Sequence, residues 1–265
     1  MGVLLSILQE EGLVDLNHPV RWYIPEFTGD ANYSVRIWHL LTHTSGIIDD
    51  DFRKNFGEYL KKNIELPIPD EDAPDEAWYD IYIKIRELMG LPYMEPSKQM
   101  THETYRTVCL ASAPTHKPQK IMSYCNIGYQ LAMDIINRVS GKRIDEFASE
   151  KLFDPLNMKD SHFILPKEKH SRFVTRGDEY IGSDWLNKGI LDSESGSGGL
   201  KSTVNDLTRF GQMILNQGKL DGVRVLSSAS IREIMSDYNA KLPPSEYDGD
   251  VAVTLVQNVP RRSRP

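Results

Sequence analysis

Apolar residues recur at helical spacing along much of this chain, and this periodicity is the feature that most constrains its fold. After Ile127 the apolar positions are three and four residues apart, which places them on one face of a helix. They are Leu131, Ala132, Ile135, Ile136 and Val139. A glycine at position 141 predicts where this helix ends. Strand-type alternation is scarce and clearest at residues 251–256, so we predict a mostly helical chain.

Shorter helices are predicted on both sides of this long one. Apolar residues at positions 3, 4, 7 and 8 predict a first helix that Gly12 ends. A short helix is predicted at residues 37–43, in the segment that closes at Gly46. Another is predicted at residues 144–152, just before Pro155, since proline cannot continue a helix.

Two hydroxyl residues late in the chain have an acidic residue three positions further on, which is the spacing of a helix-capping pair. They are Thr203, followed by Asp206, and Ser230, followed by Glu233. We therefore predict that one helix is capped by Thr203 and another by Ser230.

Residues 49–120 differ from the rest of the chain in their weak periodicity, scattered prolines and acidic run at residues 70–76. Helical spacing returns at residues 78–89. We interpret the region as an inserted, partly helical excursion. It is either a solvated decoration or a lid over a substrate.

Composition excludes several classes of function. The formal net charge of −7 argues against a nucleic-acid partner, because phosphate binding needs clustered Lys and Arg. No apolar run approaches the ~20 residues that span a bilayer, so we expect no transmembrane segment. Residues 1–8 lack a basic leader and are interpreted as helix rather than signal peptide, which leaves the compartment open. Cys109 and Cys125 have neither disulfide nor metal-ligand spacing.

A phenol and a carboxamide lie two residues apart at the start of the long helix. Residues 121–129 read Ile-Met-Ser-Tyr-Cys-Asn-Ile-Gly-Tyr and contain Tyr124 and Asn126. Upstream, residues 38–46 read Trp-His-Leu-Leu-Thr-His-Thr-Ser-Gly, and downstream residues 198–203 read Gly-Gly-Leu-Lys-Ser-Thr. In this order the segments resemble the serine β-lactamase-like hydrolases, in the branch of class C β-lactamases, penicillin-binding proteins and esterases.

This resemblance implies an α+β fold in which a helical subdomain packs beside an antiparallel sheet. Residues 1–265 would form one such domain, mostly its helical part. The implied reaction is acyl-enzyme hydrolysis of a small ester, β-lactam or D-amino-acid peptide, without metal or cofactor. Tyr124 corresponds to the phenol that handles the nucleophile's proton, and Asn126 to the amide that orients the substrate. Gly198 and Gly199 are weaker candidates for the substrate-binding wall.

The family's other motifs are missing from this sequence. No serine has a lysine three residues later, and neither Lys-Thr-Gly nor a His-x-Gly variant occurs. We expect the nucleophile to lie just before Met1 and the late strand beyond Pro265, so that the chain is truncated at both ends and inactive alone. The alternative is a non-catalytic binding remnant. In either case we expect an apolar face that promotes self-association.

Two histidines in the upstream segment invite another interpretation. His39 and His43 are four residues apart, as zinc ligands on a helix are. No glutamate follows His39, as a metalloprotease base would. We therefore interpret the segment as scaffold near the site and predict no metal.

Overall fold

Helices dominate the part of the chain that the structure describes. In this computed structural model the described residues are 1–25, 27, 34–48, 67, 80–81, 83–84, 87, 116–174, 195–240 and 242. None of the helices within these residues is both long and apolar enough to cross a bilayer. The strand predicted at residues 251–256 lies outside them, as does most of the predicted insertion. Of the helix predicted at residues 78–89, the described residues are helical.

Helix α1 spans Gly2–Glu10 and contributes a large part of the core. Its buried residues are Val3, Leu4, Leu5, Ser6, Ile7 and Leu8. Gly12 follows with φ +73°, a left-handed conformation that glycine adopts without strain, so the chain turns where the sequence predicted. A short 3₁₀ helix, Val20–Trp22, comes next.

Helix α2 spans Ile37–Leu41 and is shorter than the predicted helix, which ran to residue 43. It ends early because His43 takes a positive φ of 57°, which is incompatible with a right-handed helix. At the other end, the backbone N–H of Arg36 donates to Nδ1 of His39 at 3.0 Å. The imidazole of His39, in the first turn, thus satisfies the N–H of the residue that precedes the helix.

Helix α3 spans Asn126–Ser140 and is the central element of the described residues. It packs against α1, α2 and the short helix α4, Ile144–Ala148. Its buried apolar positions lie at helical spacing: Ile127, Leu131, Ala132, Ile135 and Ile136. Gly128 permits close contact with α2, because a Cβ there would lie 3.3 Å from the Leu40 carbonyl oxygen. Gly141 is left-handed and ends the helix, as predicted.

The helix predicted at residues 144–152 changes geometry part-way. It is an α-helix over Ile144–Ala148 and continues as a π-helical turn over Ser149–Phe153. The wider turn brings Leu152 and Phe153 into the core. A second 3₁₀ helix, Lys167–Arg172, follows further along the chain.

Helix α5 spans Val204–Leu215 and begins as its capping pair predicts. The hydroxyl of Thr203 accepts the backbone N–H of Asp206 at 3.3 Å. After α5 the chain forms a hairpin of β1, Lys219–Leu220, and β2, Val223–Arg224. The two strands are antiparallel.

Helix α6 spans Ser228–Ile234, and the cap predicted for it was wrong. Ser230 lies inside the helix, while Ser227 is the extended residue before it and accepts the Ser230 backbone N–H at 3.1 Å. The reason is that Leu226 is buried directly after the hairpin, which fixes where the extended chain ends.

A single carboxylate joins the end of α1 to the start of α6. Glu10 Oε1 accepts the Ser227 backbone N–H at 2.8 Å and the Ser230 hydroxyl at 2.5 Å. Burial alone would raise the pKa of Glu10, but hydrogen bonds from Ser230 and Ser227 outweigh it and the pKa is lowered. The negative charge also lies at a helix N-terminus, where it is favoured.

We predict that the Glu10 carboxylate stabilises the fold in a pH-dependent way. Because its pKa is lower in the folded state than the ordinary 4.5, its contribution is present above that value and is lost as pH falls through the folded pKa. The urea midpoint of the native protein should exceed that of Glu10→Gln at about pH 6, and the gap should narrow as pH falls below 4.5. Glu168→Gln, at an exposed position, is the control. A gap that does not change with pH would contradict the prediction.

Candidate active site

Tyr124 and Asn126 lie where an extended segment enters helix α3. The residue between them, Cys125, is extended, with φ −144° and ψ 112°. Side chains alternate in extended chain, so Tyr124 and Asn126 face one side and Cys125 the other. Burial agrees: Cys125 is 1% exposed and Tyr124 is 55% exposed, while Asn126 is half-buried. The predicted phenol and carboxamide therefore share an accessible face.

The segment that carries Tyr124 is paired with residues 43–46 through backbone hydrogen bonds. Ser123 N–H donates to the His43 carbonyl at 2.9 Å, and Gln119 N–H donates to the Thr44 carbonyl at 2.9 Å. At Gly46 the two segments approach so closely that a Cβ would lie 2.0 Å from the carbonyl oxygen of His116. Gly46 also has φ +80°, so both space and conformation require glycine.

His43 lies directly against the predicted phenol. Its ring stacks on Tyr124, with centroids 4.6 Å apart, and on Tyr129, with centroids 5.1 Å apart. Its Nδ1 accepts the Cys125 backbone N–H at 3.0 Å. Sequence reasoning assigned this segment to the scaffold and missed His43 as part of the site. The local sequence offers only a weak signal, since histidine is among the residues enriched at positive φ, and nothing in it pairs His43 with residue 125.

His39, the other half of the histidine pair, is structural. It is 5% exposed, and its Nδ1 already accepts the Arg36 backbone N–H. Burial, and then the charge of Arg36, lower the pKa of His39 to about 4. Within the described residues, no group of three or more His, Cys, Asp and Glu side chains could hold a metal ion.

Tyr129 is a half-buried second tyrosine in the first turn of α3, five residues after Tyr124. Its hydroxyl donates to the Leu41 carbonyl at 3.2 Å. Burial, and then the charge of Tyr124, raise the pKa of Tyr129. This phenol therefore stays protonated and ties α3 to the end of α2, which leaves Tyr124 as the accessible phenol of the two.

The glycine-rich segment, residues 195–199, contacts the same end of α3. Gln130 Nε2 donates to the hydroxyls of Ser195 and Ser197, at 2.5 and 3.1 Å, and its Oε1 accepts the Gly196 N–H at 3.3 Å. Gln130 is four residues after Asn126, so the two lie on one face of the helix. The docked segment therefore borders the face that carries the carboxamide.

The close approach within this segment is made by Gly196 rather than by the predicted glycines. A Cβ on Gly196 would lie 2.4 Å from the Tyr129 carbonyl oxygen. Gly198 is exposed, with nothing within 4 Å of an added Cβ. Gly199 is buried and its N–H donates to the Ser195 carbonyl at 2.8 Å. A substrate-binding role for Gly198 and Gly199 stays a prediction.

The sequence model of the family described as Beta-lactamase matches residues 1–253. The chain belongs to the beta-lactamase family. The resemblance inferred from the Tyr124 and Asn126 segment is confirmed, as is the α+β fold of the β-lactamase and transpeptidase type.

Individual relatives agree with this family. The chain is 30% identical to Protein Rv1367c of Mycobacterium tuberculosis, over 87% of this chain and 55% of that protein. It is 23% identical to the teichoic acid D-alanine hydrolase of Staphylococcus aureus, over 93% of this chain and 49% of that one. The octameric penicillin-binding protein homologue from Pyrococcus abyssi has a TM-score of 0.56 at 23% identity, over 89% of this chain and 46% of its own. The chain spans about half the length of these relatives.

Proposed function

We propose that this chain supplies the phenol and carboxamide of an acyl-transfer site that hydrolyses a small ester, β-lactam or D-amino-acid peptide. The observation that carries the proposal is that Tyr124 is exposed and Asn126 half-exposed at the start of α3, while Cys125 between them is buried. Membership of the beta-lactamase family supports the reaction class. The name of the Staphylococcus aureus relative supports a D-alanine compound as one substrate class.

In the proposed reaction a serine hydroxyl attacks the acyl carbonyl. Its proton passes to the Tyr124 phenolate as the acyl–oxygen bond forms, and the phenol then returns the proton to the leaving group. Water attacks the acyl-enzyme in the second half: the regenerated Tyr124 phenolate removes its proton and returns it to the serine oxygen as the acyl–oxygen bond breaks. A free phenol has a pKa of about 10, so this role needs a cation beside Tyr124.

The carboxamide of Asn126 would hold the substrate while these protons move. An amide side chain offers both an N–H donor and a carbonyl acceptor, which matches the two polar atoms of a substrate amide. Asn126 is the first residue of α3, so its position is fixed by the helix rather than by a flexible loop.

The nucleophile of this reaction is proposed to come from outside the 265 residues. The sequence contains no Ser-x-x-Lys, and the serines next to Tyr124 in the paired segments are buried: Ser45 is 1% exposed and Ser123 is 4% exposed. Ser195 and Ser197 are half-buried, and both hydroxyls accept from Gln130. Ser45 Oγ also accepts the Ile47 N–H at 3.2 Å. A non-catalytic binding protein that uses the same face is the alternative.

We also propose that the chain self-associates through the outer face of α5. Val204 and Leu215 are 80% and 75% exposed on this helix, and Leu207 is 49% exposed between them. These residues are three, eight and eleven positions apart and form an apolar stripe on the side away from Met213, which is buried. The octameric state of the Pyrococcus abyssi homologue supports association as a property within this fold.

We predict that this chain alone gives no burst with p-nitrophenyl acetate. Loss of a serine nucleophile removes nearly all of the acceleration of a serine hydrolase, of the order of 10⁶-fold in one studied case. Stopped-flow absorbance measures the burst, with heat-unfolded protein as the control for non-specific acetylation. A stoichiometric burst that a serine-directed phosphonate blocks would show that the chain contains its own nucleophile.

We predict that the same chain binds N-acetyl-D-alanyl-D-alanine and that Asn126→Ala weakens binding by about 2- to 10-fold, as expected for the loss of one hydrogen bond. Tyr124→Phe should weaken it within the same range. The control is Asn205→Ala, because Asn205 is an exposed amide on α5. Chemical-shift titration gives each dissociation constant. Equal affinity for the native chain and both site variants would contradict the proposed function.

We predict that Leu215→Asp lowers the average mass of the protein in sedimentation equilibrium, because a charge on the apolar stripe would be buried at the interface at a high desolvation cost. Leu131→Val, a conservative core change on α3, should leave the average mass unchanged. A native chain that is monomeric at about 100 μM would refute association through this face.

A further inference from the structure

The two backbone amides on either side of Tyr124 both bond to one residue, His43. Ser123 N–H donates to the His43 carbonyl at 2.9 Å, and Cys125 N–H donates to the His43 Nδ1 at 3.0 Å. The main chain of His43 and its ring therefore hold the segment at two points, one residue before and one residue after the phenol.

We propose that His43 is a positioning residue that fixes the orientation of the Tyr124 phenol for proton transfer, an inference that rests on the proposed function of Tyr124. The imidazole stacks on the phenol ring with an angle of 28° between their planes. Tyr124 is 55% exposed, and exposed side chains change rotamer on a picosecond to nanosecond scale. An aromatic pair of this type biases the rotamer population by roughly 2- to 10-fold.

The hydrogen bond to Cys125 also fixes the tautomer of His43. Since Nδ1 accepts a backbone N–H, the proton of the neutral ring lies on Nε2. A proton on Nδ1 would break this bond and release the Cys125 amide, which is buried. The imidazole ring therefore has one preferred orientation, and the phenol ring stacked on it is held at a fixed angle to it.

The backbone of His43 holds the ring in place. Its φ of 57° lies in the left-handed region, which histidine and asparagine tolerate better than most residues. Tyr129 supports the ring from α3, since the two rings stack at 5.1 Å and the Tyr129 hydroxyl is itself bonded to the Leu41 carbonyl. The arrangement is thus anchored on α2 and α3 independently of Tyr124.

Two substitutions separate the functions of the ring. His43→Asn keeps an acceptor for the Cys125 N–H and tolerates the left-handed backbone, but it removes the stacking surface. His43→Phe keeps the stacking surface and removes the acceptor. Tyr129→Phe is the control, because it preserves both rings and loses only the bond to Leu41.

The test is NMR of the chain labelled with ¹³C in its tyrosine rings and ¹⁵N in its histidine rings. In the native chain we expect the ¹⁵N shifts of the Nε2–H tautomer at His43 and an ordered Tyr124 ring. His43→Asn should leave the chain folded and release the Tyr124 ring, and His43→Phe should also loosen that ring, because it loses the bond to Cys125. Tyr129→Phe should leave the Tyr124 ring ordered. A proton on Nδ1, or a mobile Tyr124 ring in the native chain, would overturn the proposal without any variant.

A binding measurement distinguishes this inference from the proposed function. In the native background Tyr124→Phe should weaken N-acetyl-D-alanyl-D-alanine by about 2- to 10-fold, whereas in the His43→Asn background it should have little further effect. An equal effect in both backgrounds would overturn the role of His43. No effect in the native background would overturn the role of Tyr124 itself, and the ring-order comparison would still decide whether His43 holds the phenol.

Discussion

The backbone pairing between residues 43–46 and residues 116–123 is the constraint on which the candidate site depends. These segments are distant in sequence, and their pairing sets where the chain enters α3. Gly46 makes the pairing possible, because any larger residue would meet the carbonyl of His116 at 2.0 Å. The location of Tyr124 is therefore determined by a contact between backbones rather than by the phenol's own packing. That is consistent with a side chain that remains largely exposed.

Helix α3 could be predicted closely because its determinants are local. The spacing of its apolar residues and the glycine at position 141 are properties of neighbouring positions, and its observed bounds, Asn126–Ser140, differ by one residue from the predicted start. The same holds for the cap at Thr203. The cap predicted at Ser230 was wrong because the burial of Leu226, a tertiary contact, decides that the helix begins after Ser227.

The candidate site was predicted only in part, because some of its residues belong to a local motif and others are brought together by tertiary contacts. Tyr124 and Asn126 belong to one short motif, so sequence alone could identify them. His43 bonds to Cys125, 82 positions away, and Gln130 bonds to Ser195, 65 positions away. The spacing of apolar residues within one segment carries no information about such distant pairs. The loop glycine that touches α3 is Gly196 rather than its neighbours, since the choice depends on the position of Gln130 on another element.

Tyr124, just before α3, and Tyr129, in its first turn, differ in burial and therefore in the role each can have. Tyr129 is half-buried, donates to Leu41 and has a raised pKa, so it acts as a structural hydroxyl. Tyr124 lies before the first turn of α3, where the helix dipole favours negative charge. A phenol that must accept and return a proton benefits from that position only if its orientation is constant. The His43 imidazole stacks on the phenol and accepts the Cys125 N–H, while the His43 carbonyl accepts the Ser123 N–H. The phenol and its support are therefore held in a constant arrangement.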